Sequence, residues 1–116
     1  MRKVYLLVAV MTGLLVVSCE SSTYDQVEGF VENPTYVTNI KPLIDNKCNA
    51  CHAASVSDVA GGGTALDSYD SFRASVEYGS TLRDIDTTHT MPKNRAPLTK
   101  GQIKLIYAWK NTGFPQ

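Results

Sequence analysis

Cys48-Asn49-Ala50-Cys51-His52 is the stretch of this 116-residue sequence that constrains the fold most strongly. It places two thiols three residues apart and an imidazole directly after the second thiol. Side chains three and four residues apart lie on one face of a helix, so a single helical turn would bring these groups together. The motif therefore predicts a helical turn at this point and one binding site built on it.

The C-x-x-C-H spacing is the one used for covalent attachment of haem c. The thiols of Cys48 and Cys51 can add to the two vinyl groups of one porphyrin as thioethers, and His52 is then held at the iron as its proximal axial ligand. Covalent attachment also suits a small domain, because the cofactor can supply part of a core that a short chain builds with difficulty. We therefore expect one covalently bound haem c.

Three other interpretations of these cysteines are weaker. A thioredoxin-like redox pair belongs beside a strand and alternating strand and helix units, which the flanking sequence does not suggest. A disulfide between Cys48 and Cys51 would close a very small loop and stabilise the fold little. A zinc site would need a second pair of ligands, and only His89 remains to contribute to one.

The residues before the motif predict an apolar helix that leads into it. Asn33 and Pro34 are a suitable N-cap and first helical residue, and Pro42 indicates either a kink or a turn followed by a shorter helix. Core residues are expected at near-helical spacing: Tyr36, Val37, Ile40 and Ile44.

The residues after the motif predict a loop and then a short helix. Residues 53–63 are small and flexible in composition and end in three consecutive glycines. Three apolar residues then follow at three-residue spacing: Leu66, Tyr69 and Phe72. Asp67 or Ser68 is placed to cap the helix that this spacing predicts. Phosphate binding by the glycines is disfavoured, because no strand is expected before them and no P-loop Lys-Ser or Lys-Thr pair follows.

Met91 is the expected distal axial ligand of the iron. Its thioether is a soft ligand that favours the reduced iron and raises the reduction potential. Pro92 disfavours helical geometry for the residue before it and lacks an N–H, so Met91 should lie on a stiff, non-helical strap. The other methionines, Met1 and Met11, fall in a segment that we expect to be removed. His89, two residues earlier on the strap, is the competing ligand.

The C-terminal residues predict a helix that closes the fold. Thr99 is a suitable N-cap, and Gly113 and Pro115 mark the end of the helix. Its apolar face is broad: Ile103, Leu105, Ile106, Tyr107 and Trp109. We expect Trp109 to pack against the first helix rather than to carry electrons or bind a substrate.

The N-terminal residues have the pattern of an export signal. Arg2 and Lys3 precede an apolar stretch over residues 4–17, which has the character of a secretory signal and is short for a membrane span. The sequence Val-Val-Ser-Cys at residues 16–19 resembles the lipobox of bacterial lipoproteins, which predicts a signal peptide over residues 1–18 and lipidation of Cys19. A conventional signal or an uncleaved anchor would also export the domain.

Residues 19–33 are expected to be the lipidated N-terminus and a polar tether, because they are rich in Glu, Ser, Asp and Asn and have few large apolar groups. An ordered arm that packs through Tyr24, Val27 and Phe30 is the alternative. Several acyl chains on one cysteine would hold the protein stably on its membrane, and we expect it to face the periplasm. The domain itself is predicted over residues 34–116.

The charge balance excludes nucleic acid as a partner. The sequence has 11 basic and 11 acidic residues, and no run of like charge gives the electrostatic footprint that nucleic acid requires. Removal of residues 1–18 takes away two basic residues and leaves 9 basic and 11 acidic side chains. This near balance argues against strong electrostatic steering, except through a local patch of four side chains: Lys41, Lys47, Lys93 and Arg95.

Together these features resemble a class I monohaem cytochrome c, and in particular the cytochrome c-like domains of exported bacterial lipoproteins. The resemblance covers about residues 35–114 and implies an all-α fold wrapped around the haem, with the haem-binding helix crossing the C-terminal helix. One departure is clear. Relatives often have a proline soon after the motif, whose region supplies a carbonyl to the proximal histidine, and here three small residues follow instead: Ala53, Ala54 and Ser55.

The resemblance implies electron transfer between redox partner proteins, with no catalytic acid, base or nucleophile. If Met91 does not bind the iron, an open sixth position would suit a gas sensor or a weak peroxidase. If no haem is attached, the remaining alternative is an exported structural or adhesion lipoprotein whose cysteines form a disulfide.

Overall fold

The computed structural model describes residues 31–116 of the chain. Within this range the backbone forms helices and loops without a strand, which confirms the all-α prediction for this part. The elements are a π-helical turn, π1 (Tyr36–Ile40), then α1 (Lys41–Lys47), α2 (Asn49–His52), α3 (Ser57–Ala60), α4 (Tyr69–Glu77), a second π-helical turn, π2 (Arg83–Thr87), and α5 (Lys100–Asn111). None of these helices is long and apolar enough to cross a membrane.

The predicted signal peptide, the lipidation site Cys19 and most of the tether lie outside the described residues. The first described helical element begins later than the sequence suggested. Thr35, not Asn33, is its N-cap, because the Thr35 hydroxyl accepts from the Thr38 amide at 3.3 Å. Pro34 precedes the helix, and its ring is buried in the core instead of starting the first turn.

Pro42 lies in the first turn of α1 and has no N–H to donate back to π1. The helical path nevertheless continues directly from π1 into α1, as a distorted helix rather than two helices joined by a turn. Tyr36, Ile40 and Ile44 are spaced four residues apart, share one face and are buried. Val37 was predicted to join them but is 66% exposed, because one residue along a helix turns the side chain about 100° away.

Helices α4 and α5 begin as their capping residues predict. Ser68 caps α4 in a reciprocal capping box with Ser71, and Thr99 caps α5 in another with Gln102. The residues that α5 buries are three of its predicted apolar set: Ile103, Ile106 and Trp109. The helix ends at Asn111, and Gly113 follows with a φ of +86°, a conformation that favours glycine.

Trp109 lies at the centre of an aromatic core and is fully buried. Its ring centroid is 5.9 Å from that of Tyr36, 5.8 Å from that of Phe72 and 4.8 Å from that of Phe114. The predicted packing of Trp109 against the first helical segment is therefore confirmed.

Three hydrogen bonds fasten the C-terminal tail across this core. Pro115 O accepts from the Tyr36 amide at 2.9 Å and from Trp109 Nε1 at 2.8 Å. Phe114 O accepts from the Tyr69 hydroxyl at 2.7 Å. The tail thus ties π1, α4 and α5 together.

We expect Tyr69→Phe to lower the free energy of unfolding by about 1 kcal/mol, because Phe114 O loses its hydrogen-bond donor while the aromatic packing is kept. Urea unfolding should show a lower midpoint with an unchanged slope. The matched control is Tyr78→Phe, since Tyr78 is 82% exposed and its replacement should leave the midpoint in place. Equal midpoints for both variants would show that the Tyr69 hydrogen bond to Phe114 O does not stabilise the fold.

Candidate functional site

The cysteine and histidine side chains of the motif project from one helical turn. The Cys48 amide donates to Ile44 O at 2.8 Å as the last bond of α1, and Cys48 is also the N-cap of α2. The carbonyl of Cys48 accepts from the Cys51 amide at 3.1 Å and from the His52 amide at 3.0 Å. The turn predicted from the spacing is therefore present.

The Cys48 thiol points toward the hydrophobic core. Cys48 is partly buried and packs against the core, and this burial raises the pKa of its thiol to about 11. Cys51 is also partly buried, and both residues are free thiols. The structure therefore offers two separate thiols and not the disulfide of the alternative interpretation.

The imidazole of His52 is fixed by a backbone carbonyl. His52 Nδ1 lies 2.8 Å from Thr64 O. A carbonyl oxygen can only accept, so Nδ1 carries the proton and donates it, and in the neutral imidazole Nε2 then keeps its lone pair. This is the tautomer that a metal-binding histidine uses, with its other ring nitrogen held by a second group. Thr64 is thus the acceptor that the sequence left unidentified.

The segment between the motif and α4 folds back onto the motif turn. His52 O accepts from the Leu66 amide at 2.7 Å, and Asp67 Oδ2 accepts from the Ala54 amide at 2.9 Å. Asp67 therefore fastens this segment, while Ser68 caps α4. The prediction that residues 53–63 form a loop throughout is wrong, because they contain the short helix α3.

Gly61 allows this close approach. A Cβ atom at position 61 would lie 2.5 Å from Cys51 O and 2.9 Å from His52 Nδ1. Both distances are shorter than a carbon atom can tolerate, so the backbone at Gly61 is in contact with the motif itself. The run of glycines suggested a flexible loop. At position 61, however, glycine is required because there is no room for a Cβ atom beside the motif.

Met91 lies on the strap, which we define as residues 88–99, between π2 and α5. The strap is non-helical, as predicted. Met91 is partly buried against the core, and its amide donates to Asp84 O at 3.1 Å. His89 is exposed, and its Nδ1 lies 3.1 Å from Ile85 O. Of the two candidate ligands, Met91 is the one that faces the core.

A side-chain hydrogen bond holds π2, just before the strap, against α5. The Tyr107 hydroxyl donates to Asp86 Oδ2 at 3.0 Å, across 21 residues of sequence. The same bond raises the pKa of Tyr107, because the neighbouring carboxylate favours the protonated phenol. π2 is therefore joined to the C-terminal helix just before the strap begins.

The donor set on the motif turn suits a covalently attached haem, because two thiols and the His52 imidazole lie on one turn. Several apolar side chains pack against the same core as Cys48 and are only partly buried: Leu43, Leu82, Met91, Leu105 and Tyr107. Within residues 31–116, no three His, Cys, Asp or Glu side chains are arranged to hold a metal ion by themselves. No family model matches the chain, and no curated protein or solved structure matches it significantly.

We expect Gly61→Ala to destabilise the fold by about 2 kcal/mol, because the added methyl group must displace Cys51 O or the His52 ring. NMR signals of the His52 imidazole should shift, and the urea midpoint should fall. Gly62→Ala is the control, because a Cβ atom there meets no neighbour, although its φ of +62° strains any other residue. It should lower stability by about 1 kcal/mol and leave the His52 signals unchanged. Unshifted His52 signals in Gly61→Ala would refute the close approach.

We expect the Cys48 thiol of the folded, haem-free chain to alkylate roughly a hundredfold more slowly near neutral pH than that of the urea-unfolded chain. The reason is that burial raises its pKa from 9.0 to about 11 and so lowers its thiolate fraction. Iodoacetamide labelling of Cys51→Ser, followed by mass spectrometric mapping of position 48, measures both rates. The free energy of unfolding should also fall as the pH rises from about 9 to about 11, because the unfolded thiol ionises first. Equal labelling rates would show that the thiol is not buried.

Proposed function

We propose that this chain is a membrane-anchored monohaem c-type cytochrome that transfers single electrons between redox partner proteins. The observation that carries the proposal is the hydrogen bond from His52 Nδ1 to Thr64 O at 2.8 Å. Fixing the imidazole by a backbone carbonyl is typical of a histidine that binds a metal through its other nitrogen. Here the histidine held in this way is the one in the C-x-x-C-H motif. The Thr64 carbonyl is the acceptor for its Nδ1 that the sequence did not identify.

In this proposal Cys48 and Cys51 hold the cofactor through thioethers, and His52 and Met91 are its proximal and distal axial ligands. Haem c supplies reversible one-electron chemistry when bound. The chain's own residues hold the ligands in place and exclude water. Thr64 fixes the tautomer and orientation of the His52 ring, and Gly61 lets the backbone reach it.

Met91 is the proposed distal ligand because of its position at the core. Its side chain is partly buried against the same core as Cys48, whereas His89 is exposed. The Met91 amide bond to Asp84 O ties the strap to π2 close to the proposed ligand. A stable sixth ligand favours electron transfer over gas sensing or peroxidase chemistry, which need an open position.

The proposed membrane attachment rests on the sequence alone. A signal peptide over residues 1–18 would export the chain to the compartment where C-x-x-C-H motifs receive haem, and lipidation of Cys19 would hold the domain at a membrane facing the periplasm. An electron-transfer haem needs one protein that donates electrons and one that accepts them. The balanced charge of the chain does not suit nucleic acid as a partner.

Visible spectra of the full chain, made in a host that attaches haem c and recorded oxidised and reduced, test this proposal. We expect a reduced c-type spectrum in the wild type and in Met91→Ala. The weak sulfur-to-iron band of the oxidised wild type should vanish in Met91→Ala, because alanine offers no sulfur.

His89→Ala is the matched control, two residues away on the same strap, and should keep the sulfur-to-iron band. A band lost only in His89→Ala, or a haem spectrum identical in all three proteins, would exclude Met91 as the ligand. Absence of covalent haem in the wild type would refute the cytochrome proposal itself.

A further inference from the structure

The first residues of the strap return hydrogen bonds to the carbonyls of π2. The Thr88 amide donates to Arg83 O at 2.9 Å. The Met91 amide donates to Asp84 O at 3.1 Å. Asp84 is itself held, because its Oδ2 accepts from the Ser80 hydroxyl at 2.6 Å. The position of the Met91 backbone is therefore set by π2, and a movement of π2 would be passed on to Met91.

The strap contains two residues with a strained backbone. His89 has a φ of +51° and Asn94 a φ of +58°. This left-handed conformation is unfavourable for residues other than glycine, so it persists only where surrounding contacts hold it. The strap would therefore relax toward another path if one of its ends were released.

Both ends of the strap are held on α5. At its C-terminal end, Thr99 is the N-cap of that helix. At its N-terminal end, two residues before the strap begins, Asp86 Oδ2 accepts from the Tyr107 hydroxyl at 3.0 Å. Tyr107 lies eight residues after Thr99, which is about two turns further along α5. The Tyr107–Asp86 hydrogen bond thus closes the strap into a loop whose two ends are fixed to one helix.

The Tyr107 hydroxyl is well suited to hold π2 in this way. The Tyr107 ring is partly buried and packs against the core, so little side-chain freedom remains to be lost when the bond forms. Asp86 is exposed, and its carboxylate is a charged acceptor, which makes the bond stronger than one between neutral groups. A fixed donor on α5 therefore meets a strong acceptor on π2.

We propose that Tyr107 and Asp86 are positioning residues that keep Met91 at the sixth position of the haem iron and so exclude small ligands from it. This inference rests on the proposed function, in which Met91 is the distal ligand. Neither positioning residue binds the iron. Without their hydrogen bond, π2 and the strap leave α5 more often, and a larger fraction of the molecules has an open sixth position.

The consequence concerns the choice between electron transfer and ligand binding. An open sixth position suits gas binding or peroxidase chemistry, whereas a stable sixth ligand suits electron transfer. The Tyr107–Asp86 hydrogen bond therefore favours electron transfer, although it belongs to neither the motif nor the strap.

The test measures binding of imidazole to the oxidised, haem-loaded full chain by visible spectroscopy. The apparent affinity for imidazole is reduced by the fraction of molecules in which the sixth position is closed, so it reports how often the strap opens. We expect Tyr107→Phe to keep the sulfur-to-iron band and to bind imidazole about fivefold more tightly than the wild type, because one charge-assisted hydrogen bond is lost.

Tyr69→Phe is the matched control for loss of stability. It also removes one tyrosine hydroxyl, but that hydroxyl donates to Phe114 O at 2.7 Å and joins α4 to the C-terminal tail. Its affinity for imidazole should equal that of the wild type. An equal gain in affinity in Tyr69→Phe and Tyr107→Phe would overturn the proposal, because general destabilisation would then explain both.

A double-mutant cycle tests whether the two residues act through one bond. Asp86→Ala should also raise the affinity for imidazole, and Tyr107→Phe/Asp86→Ala should raise it no further than the single variants do. Asp86→Asn keeps an oxygen that can accept from Tyr107 and should show a smaller gain than Asp86→Ala. Gains that multiply in the double variant would show that the residues act separately, which contradicts the proposed role.

The spectra separate failure of this inference from failure of the proposed function. A wild type without covalent haem would refute the proposed function. An oxidised wild type without the sulfur-to-iron band would exclude Met91 as the ligand and overturn this inference with it. A wild type that has the band, together with an unchanged affinity for imidazole in Tyr107→Phe, would refute the positioning role alone.

Discussion

The buried indole of Trp109 packs against Tyr36, Phe72 and Phe114, and its Nε1 donates to Pro115 O at 2.8 Å. These contacts join the first helical segment, α4 and the C-terminal tail, which are far apart in sequence. The motif turn depends on them, because it follows directly from the segment that Tyr36 anchors. A short chain can therefore hold a site in place with one tightly packed aromatic core, and the partly buried apolar side chains at the margin of that core remain available to cover a cofactor.

At the candidate site, a backbone carbonyl orients the histidine, a role that a side-chain carboxylate often has in other proteins. A backbone carbonyl, that of Thr64, accepts from His52 Nδ1, so replacing the Thr64 side chain leaves the acceptor in place. What controls this contact is the path of the chain, and Gly61 is the position that sets it, since any side chain there would strike Cys51 O. The proposed iron ligand is thus tuned by loop geometry more than by residue identity.

The sequence predicted the features that depend on local interactions and missed those that depend on contacts between distant residues. Thr99 was predicted as one cap and Asp67 or Ser68 as the other, from small polar side chains at the start of an apolar helical pattern, and the structure has caps at Thr99 and Ser68. The acceptor Thr64 lies twelve residues beyond His52 and acts through a carbonyl, which every residue possesses, so no residue type could reveal it. The N-cap at Thr35 was missed because Asn33-Pro34 is a stronger local signal, and burial of the proline ring in the core outweighs it.

The burial of Cys48 would affect whether haem is attached to this thiol before or after the motif turn packs. A thiol whose pKa is raised to about 11 stays protonated at physiological pH once the motif turn has packed against the core, and thiolate is the reactive form. In the unfolded chain the same thiol ionises more readily and is open to solvent. Attachment at Cys48 would therefore be fastest before the turn packs, and packing would then cover the bond that had formed. Burial of Cys48 would therefore both protect an attached haem and slow its attachment to a chain that has already folded.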